Sequence, residues 1–461
     1  MPRRMLLKRT RFSKRCLIGL PFFSLILLIS IIQFFGHKFY IGFDSRFQLK
    51  TISPNAVYQS NNCTAEGSSN LTWEYDPTRD ADNYGLNRLQ CYKAFPKLFV
   101  EIDKAVRARE GKKIIFWDID SREMKDAMVR AMIYHGALYV IEFKNAGATF
   151  TRGKATLNAI NRALNSVPDR ASLPNIEFIF SAEDFVGGPQ PIWTYSKKDG
   201  DDHAWLMPDF GYWAWPEVGV GSYQAFRQRA AAIDQGLGLL ATNTKPLHFS
   251  EKQKKLFWRG NVATAPELRG KFVNSAAMKP WASVREIGWG NKEKEKDGMP
   301  LSFLPLEDHC RYMFLAHIEG RSFSGRGKYL QHCRSVFVTH ELVWKEVHHA
   351  ALVVPGDAND NPEANYIQVN RDFSDLEAKM QFLLSNPAYA EVIAENSVRT
   401  FRDRYLTPAA EACYWRELIR QYGAMCDFEP LLYSQSDIGK PRGIDFESFI
   451  LDPDTTKLHG R

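Results

Sequence analysis

From residue 91 onward the chain alternates short apolar runs with longer amphipathic ones. CYKAFPKLFVEIDKAVRAREGKK begins at Cys91 with helical spacing, carries basic residues near its end and stops at Gly111, so it reads as one helix. KKIIFWDID reads as a buried strand that leaves Asp118 and Asp120 at its C-terminal end. SREMKDAMVRAMIYHGALYVIEF reads as a helix and then a strand, GKATLNAINRALNSVPD as a helix, and NIEFIFSAED as a strand ending near Asp184. The pattern weakens between Gly187 and Thr244, where WTYSKKDGDDHAWLMPDFGYWAWPEVGVGSY is dense in aromatics, Pro and Gly.

The alternation then resumes. KKLFWRGN predicts a strand entering a turn, SVFVTH and NYIQVN two more strands, and ELVWKEVHH a helix start. DLEAKMQFLLSN, PAYAEVIAENSVRTFRDRYL and EACYWRELIRQYGAM predict amphipathic helices. Strands alternating with helices argue for an α/β fold with parallel sheets. The break near residues 235–250 divides it into two Rossmann-like lobes. Ligands of such sheets sit at the carboxyl ends of the strands, so the crevice between lobes is the expected site.

The N-terminal 90 residues differ. Residues 1–15 hold seven basic residues and no acid, and Cys16–Phe35 is uncharged and long enough to span a bilayer. The sequence GHKFYIGF that follows is a poor cleavage site, which favours an uncleaved transmembrane helix over a cleaved signal peptide. The basic flank keeps the tail cytoplasmic and places the rest in the secretory lumen. The expected layout is a cytoplasmic tail 1–15, an anchor 16–35, a lumenal stem 36–90, a first lobe 91–245, a second lobe 246–425 and a C-terminal tail 426–461. Asn62-Cys63-Thr64 and Asn70-Leu71-Thr72 are glycosylation sequons. Six cysteines after the anchor allow up to three disulfides, with fifteen pairings, or buried free thiols.

Charge narrows the partners. The net charge of +7 is concentrated in the first fifteen residues, which argues against a nucleic-acid-binding face on the folded part. No phosphate-binding G-x-x-x-x-G-K-[ST] loop, dinucleotide fingerprint, zinc spacing or G-x-S-x-G elbow is present. EGRSFSGRGKYLQHCRSVFVTH, from Glu319, does carry chemistry: glycines admit close backbone approach, and arginine forks suit phosphate oxygens. It reads as a diphosphate cradle or as a solvated basic loop. Asp118 and Asp120 flank one residue and could hold a divalent cation on a nucleotide. Asp184 at a strand tip could be a general base or a turn acid. Arg259 and Arg269 could bind phosphate or form surface pairs. Trp205, Phe210, Tyr212, Trp213 and Trp215 could be a sugar platform or packing core.

The block DHCRYMFLAHIEGRSFSGRGKYLQHCRSVFV, together with FWRGNVATAPELRGKF, ELVWKE and EACYWRELI, resembles glycosyltransferase family 90. That family includes protein O-glucosyltransferases and fungal capsule-associated xylosyltransferases. The resemblance spans roughly Asp118 to Tyr422. It implies two GT-B type lobes, the first on the acceptor side and the second binding a UDP-sugar. It implies an inverting, metal-independent transferase without a cofactor, moving xylose or glucose to a hydroxyl of a glycan or glycoprotein. Arg259, Gly260, Arg269, Gly320, Ser324, Arg326, Lys328 and Glu346 would bind the donor, and Asp184 would be the base. Asp184 stands in AEDFV, without the arginine before it and the proline after it that the family carries. Trp205, Tyr212 and Trp213 would meet the acceptor. Cys310 and Cys333 would pair, and Cys413 would pair with Cys91 or Cys63. Asn62 and Asn70 would be glycosylated. The expected location is the Golgi membrane, single-pass with the catalytic region lumenal, with the endoplasmic reticulum as the alternative. A non-catalytic sugar-binding or assembly protein is the other functional reading.

Overall fold

A computed structural model describes residues 73–144, 149–188, 190–236, 245–287, 304–356, 360–434 and 437–451. The basic tail, the anchor, both sequons and Cys63 lie outside the described residues, as does the stem up to residue 72. Among the described residues, no helix is long and apolar enough to cross a membrane. All of them fall in one compact unit, Thr72–Arg461.

The second half of the chain follows its hydrophobic pattern. Ala282–Glu286, Gln253–Gly260, Tyr312–His317, Val336–His340 and Ile367–Val369 form, in that order, a parallel five-stranded sheet. Successive side chains point to opposite faces. Leu256, Trp258, Phe314, Ala316, Val336 and Val338 therefore pack with helices Pro266–Ala276, Leu376–Ser385 and Pro387–Ser397. Phe257, Leu315 and Phe337 face the other way, into a core they share with the first sheet.

The first sheet is mixed, which corrects the Rossmann-like expectation for that half. Its order is Ile444–Asp445, Ala137–Lys144, Met128–Tyr134, Ile176–Ser181, Trp193–Thr194 and Trp205–Leu206. The first four run antiparallel to their neighbours and the last two join in parallel. The run read as a helix before Tyr134 is a strand. His135 and Gly136 both take positive φ, 49° and 74°. Such a two-residue turn matches the twist of a β-hairpin, so the two apolar runs fold back on each other.

Three other elements differ from expectation. Pro96 lies between helices Arg88–Ala94 and Val100–Ala108, where one helix was expected, because proline cannot donate within a helix. In KKIIFWDID only Ile114 pairs, with Cys426, and Phe116–Asp120 is a short helix with Trp117 exposed. Asp118 accepts from the Ile115 N–H at 3.0 Å and Asp120 pairs with Arg130 at 2.9 Å, so both acids have structural partners. ELVWKEVHH holds a two-residue strand, Trp344–Lys345, paired with Lys197–Lys198, followed by the 3-10 turn His349–Ala351. That pairing joins a connection between two strands of the second sheet to a connection between two strands of the first.

The body is wider than its two sheets. From Trp73 to Gln90 the stretch read as stem packs on it, with Leu86 buried and Ala81 accepting from the Ala409 N–H at 3.0 Å. Helix Pro408–Met425 lies against the first sheet, where Tyr414 donates to the Leu206 carbonyl at 2.8 Å. The C-terminal tail adds the edge strand Ile444–Asp445 and buries Phe446 and Phe449. Disulfides join Cys310 to Cys333 and Cys91 to Cys413, and Cys426 has no disulfide partner among the described residues.

Candidate active site

Parallel strands bring their carboxyl ends to one edge. Gly260, the loop after His317 and the loop after His340 leave the second sheet together. Arg259, at the end of its strand, donates to the carbonyls of Trp258 at 2.9 Å and Ser283 at 2.6 Å, and lies over the Phe257 ring at 4.4 Å. At Gly260 a Cβ would fall 2.5 Å from the Trp258 ring, so only glycine fits there. Helix Pro266–Ala276 supplies Arg269, which donates to the carbonyls of Asn261 at 2.7 Å, Glu319 at 2.9 Å and Ile318 at 3.2 Å. Arg326 donates to the Arg259 carbonyl and faces the Trp258 ring at 5.7 Å.

All the hydrogen bonds described for these three guanidiniums end on neutral oxygens, and none of the three has a carboxylate partner among the described residues. Burial pushes Arg259 and Arg269 down to about 10. Burial, and then the charge of Arg269, push Arg326 down to about 9. Each remains cationic at neutral pH. Buried charge without a counter-charge is costly, and a bound anion would relieve that cost.

The rest of the basic loop divides. Gly320 lies against Arg269, whose guanidinium nitrogen would be 3.3 Å from a Cβ there. Ser324 is buried and accepts the Gly327 N–H on its carbonyl at 3.0 Å. Lys328 differs from its expected role. Its ammonium is fully buried, 2.7 Å from Asp209, and donates to the Gly325 carbonyl at 3.0 Å. Gly211 makes room for it, since a Cβ there would lie 2.7 Å from the ammonium. Asp209 lies in the aromatic run and neutralises Lys328 within the core.

Behind this pair, Glu346 is buried with its Oε1 unpartnered, and so is the Nε2 of His348. Glu346, His348 and His349 place one ligand atom each within 4.8 Å of one another, which makes them a group able to hold a metal. The hydrogen bonding disfavours that use. The Nδ1 of His349 accepts the Glu346 N–H at 3.2 Å, so the ring proton sits on Nε2 and faces Glu346 at 3.3 Å. The orphaned atoms suit a polar ligand such as a sugar hydroxyl.

Asp184 lies three residues past the end of the first sheet's strand Ile176–Ser181 and is 38% exposed. Its carboxylate accepts from Arg152 at 2.9 Å and its carbonyl from the Ser196 hydroxyl at 2.8 Å. The adjacent Phe185 contacts Trp344 at 4.7 Å and lies under Arg321 at 5.8 Å. Residues from the basic loop and from the segment after His340 thus meet the neighbour of the candidate base.

The aromatic run behaves mostly as core, a correction for Trp205, which was expected at the acceptor. Trp205 is fully buried against Tyr422 at 5.1 Å. Tyr212 is buried between Tyr223 and His348. Trp213 keeps partial exposure under Arg162 and lines a cavity of about 160 Å³ with Tyr84, Tyr212 and Tyr223. Sequence reading missed Arg152, Asp209, Arg321 and His348. Asp209 carried a local signal as the one acid in MPDFGYW, whereas Arg152 had none.

The sequence pattern of the family described as Glycosyl transferase family 90 matches residues 91–438. The chain belongs to this family. Family 90 therefore covers the second sheet, all of the first but its edge strand Ile444–Asp445, both disulfides and every donor-side residue named above. Among curated relatives, the chain is similar to "Protein O-glucosyltransferase 1" of Homo sapiens, 25% identical over 281 residues, covering 56% of this chain and 64% of that one. It is also 25% identical over 279 residues to the "O-glucosyltransferase rumi homolog" of Aedes aegypti, covering 57% and 64%. The "O-glucosyltransferase rumi" of Drosophila melanogaster is 24% identical over 334 residues, covering 66% of this chain and 74% of the relative. The first two matches thus span less than two thirds of the relatives' own length.

Proposed function

We propose that this member of family 90 is an inverting transferase that moves glucose or xylose from a UDP-sugar to a hydroxyl of a glycoprotein or glycan. The observation that carries this reading is the set of three guanidiniums, Arg259 and Arg269 buried and Arg326 half-buried, with only neutral partners among the described residues at one end of a parallel sheet. Their unbalanced charge fits a diphosphate. The relatives' names favour glucose and a protein acceptor. The two sheets then act as the two halves of a GT-B arrangement. The first presents the base and the acceptor, with Trp213 and Tyr212 as its aromatic contacts. The second binds the donor.

In the proposed step, one oxygen of Asp184 takes the proton of the acceptor hydroxyl as that oxygen forms a bond to the anomeric carbon. The bond from that carbon to the β-phosphate oxygen breaks, and its electron pair leaves with UDP. The three arginines meet the charge that develops on the leaving phosphate, a stabilisation strongest in the transition state. Glu346 and His348 offer their unpartnered atoms to sugar hydroxyls. No step requires a metal ion or a cofactor. Cys16–Phe35 as an anchor and a Golgi location complete the reading, with the two sequons on the lumenal side.

The test uses the full chain in detergent with a panel of UDP-sugars and a glycoprotein acceptor, with and without chelator. UDP release from one donor despite chelator, with inverted product, is expected. UDP binding without turnover of any donor would favour the non-catalytic reading. Absence of both would overturn the donor site.

A further inference from the structure

We propose that Arg152 is a positioning residue for Asp184, holding one carboxylate oxygen so that the other faces the acceptor hydroxyl. This rests on the reading of Asp184 as the base. Asp184 and Arg152 come from different elements, the loop after Ile176–Ser181 and the first turn of helix Phe150–Asn165. The guanidinium Nη1 donates to Oδ1 of Asp184 at 2.9 Å, and no hydrogen bond is formed to Oδ2 among the described residues. One oxygen is therefore engaged and the other is left for substrate.

Both partners are themselves fixed. The Arg152 guanidinium lies over the buried Phe210 ring at 4.6 Å, a cation–π contact that restricts where the fork can point. The Arg152 carbonyl accepts from the Thr156 hydroxyl at 3.0 Å and the Tyr195 hydroxyl at 3.4 Å, and those two hydroxyls are 2.6 Å apart. On the other side, Ser196 holds the Asp184 carbonyl at 2.8 Å. Backbones pinned at both ends leave the ion pair little freedom.

The pair's exposure says what it is for. Asp184 is 38% exposed and Arg152 21%. Ion pairs this open add little to stability, so stability does not account for clamping one so firmly. Orientation does, because a reacting group displaced by about 1 Å can lose on the order of a hundredfold in rate. The loop carries Glu183, not an arginine, before the aspartate. The orienting cation reaches Asp184 from a helix 32 positions upstream.

The experiment measures kcat, donor KM and UDP affinity for the full chain with Arg152→Gln, Arg152→Lys, Asp184→Glu and the double variant Arg152→Gln/Asp184→Glu. Arg152→Gln should lower kcat about a hundredfold. Donor KM, UDP affinity by calorimetry and melting temperature should stay at wild-type values. Arg152→Lys should recover most of the rate. The losses from Arg152→Gln and Asp184→Glu should not add, since both disturb one carboxylate. An unchanged kcat, a rise in donor KM in place of the rate loss, or additive losses would each overturn the proposal. Asp184→Asn is run alongside. Wild-type turnover there would instead remove Asp184 from the base role, a separate failure from that of Arg152.

Discussion

The carboxyl end of the second sheet and the loop after strand Ile176–Ser181 of the first hold their charges in opposite conditions. At the second sheet, Arg259, Arg269 and Arg326 are buried largely or in part and bonded only to neutral oxygens. At the first sheet, Asp184 is half-exposed and already paired with Arg152. The first condition is unfavourable until an anion arrives, so that end stores binding energy for a ligand. The second is satisfied without substrate, so that end has only to be aimed. Damage at the second sheet should therefore appear as lost affinity, and damage at the first as lost rate.

The sharpest way to break this contrast is Asp184→Asn. It should lower kcat by about 10²–10⁴ in a UDP-release assay while UDP affinity is unchanged, as removal of a general base does. Lost UDP affinity with retained turnover would reverse the assignment of the two ends. Next, Arg326→Met should weaken UDP binding about 10–100-fold by calorimetry, the scale of one or two hydrogen bonds to a charged group. The melting temperature of the free protein should not fall, because an uncompensated charge is being removed from a low-dielectric site.

Lys328 tests where the donor end stops. Lys328→Met leaves Asp209 buried and unpaired and should destabilise the fold by about 3–5 kcal/mol in denaturant titration, with partial recovery in Lys328→Met/Asp209→Asn. A tenfold loss of UDP affinity with unchanged stability would instead return Lys328 to the donor. Removing the Cys310–Cys333 bond, whose cysteines are 23 residues apart, should cost about 3 kcal/mol by the loop-closure argument and lower the melting temperature. The smallest effect belongs to Asp120→Asn. Its pair with Arg130 is 46% exposed on the aspartate side, so a change below about 1 kcal/mol is expected, with no change in turnover or chelator response. A metal-dependent loss of turnover would restore Asp118 and Asp120 as a cation site.

The two sheets also differ in how far sequence could read them. The second is parallel and covered on both faces, so KKLFWRG, YMFLAH and SVFVTH show as near-continuous apolar runs bounded by turns. MVRAMIYHGALYVIEF carries the same kind of apolar run, but its fold is set by two residues at positive φ. His135 has no sequence signature for that conformation beyond the glycine that follows, and a helix followed by a strand fits the same letters. Family resemblance pointed to Asp184 and to the glycine-and-arginine loop, yet it gave Lys328 a role that packing against Asp209 does not support. Trp205 failed as an acceptor residue for a similar reason. Aromatic density looks the same in a core and in a sugar platform, and only burial separates them.

Chain order alone carries the α/β class, the strands and helices of the second sheet, the glycine-and-arginine loop and the membership of family 90, because each depends on residues close in sequence. Tertiary contact chose which charges are free. Arg326 and Lys328 are two residues apart, and one lies among neutral oxygens while the other faces a carboxylate 119 positions away. Asp184 and Arg152 meet by the same means, through a helix and a strand end that nothing in their local sequence connects. Electrostatic fate depends on distance in space and on exclusion of water, and neither is written in the order of the residues.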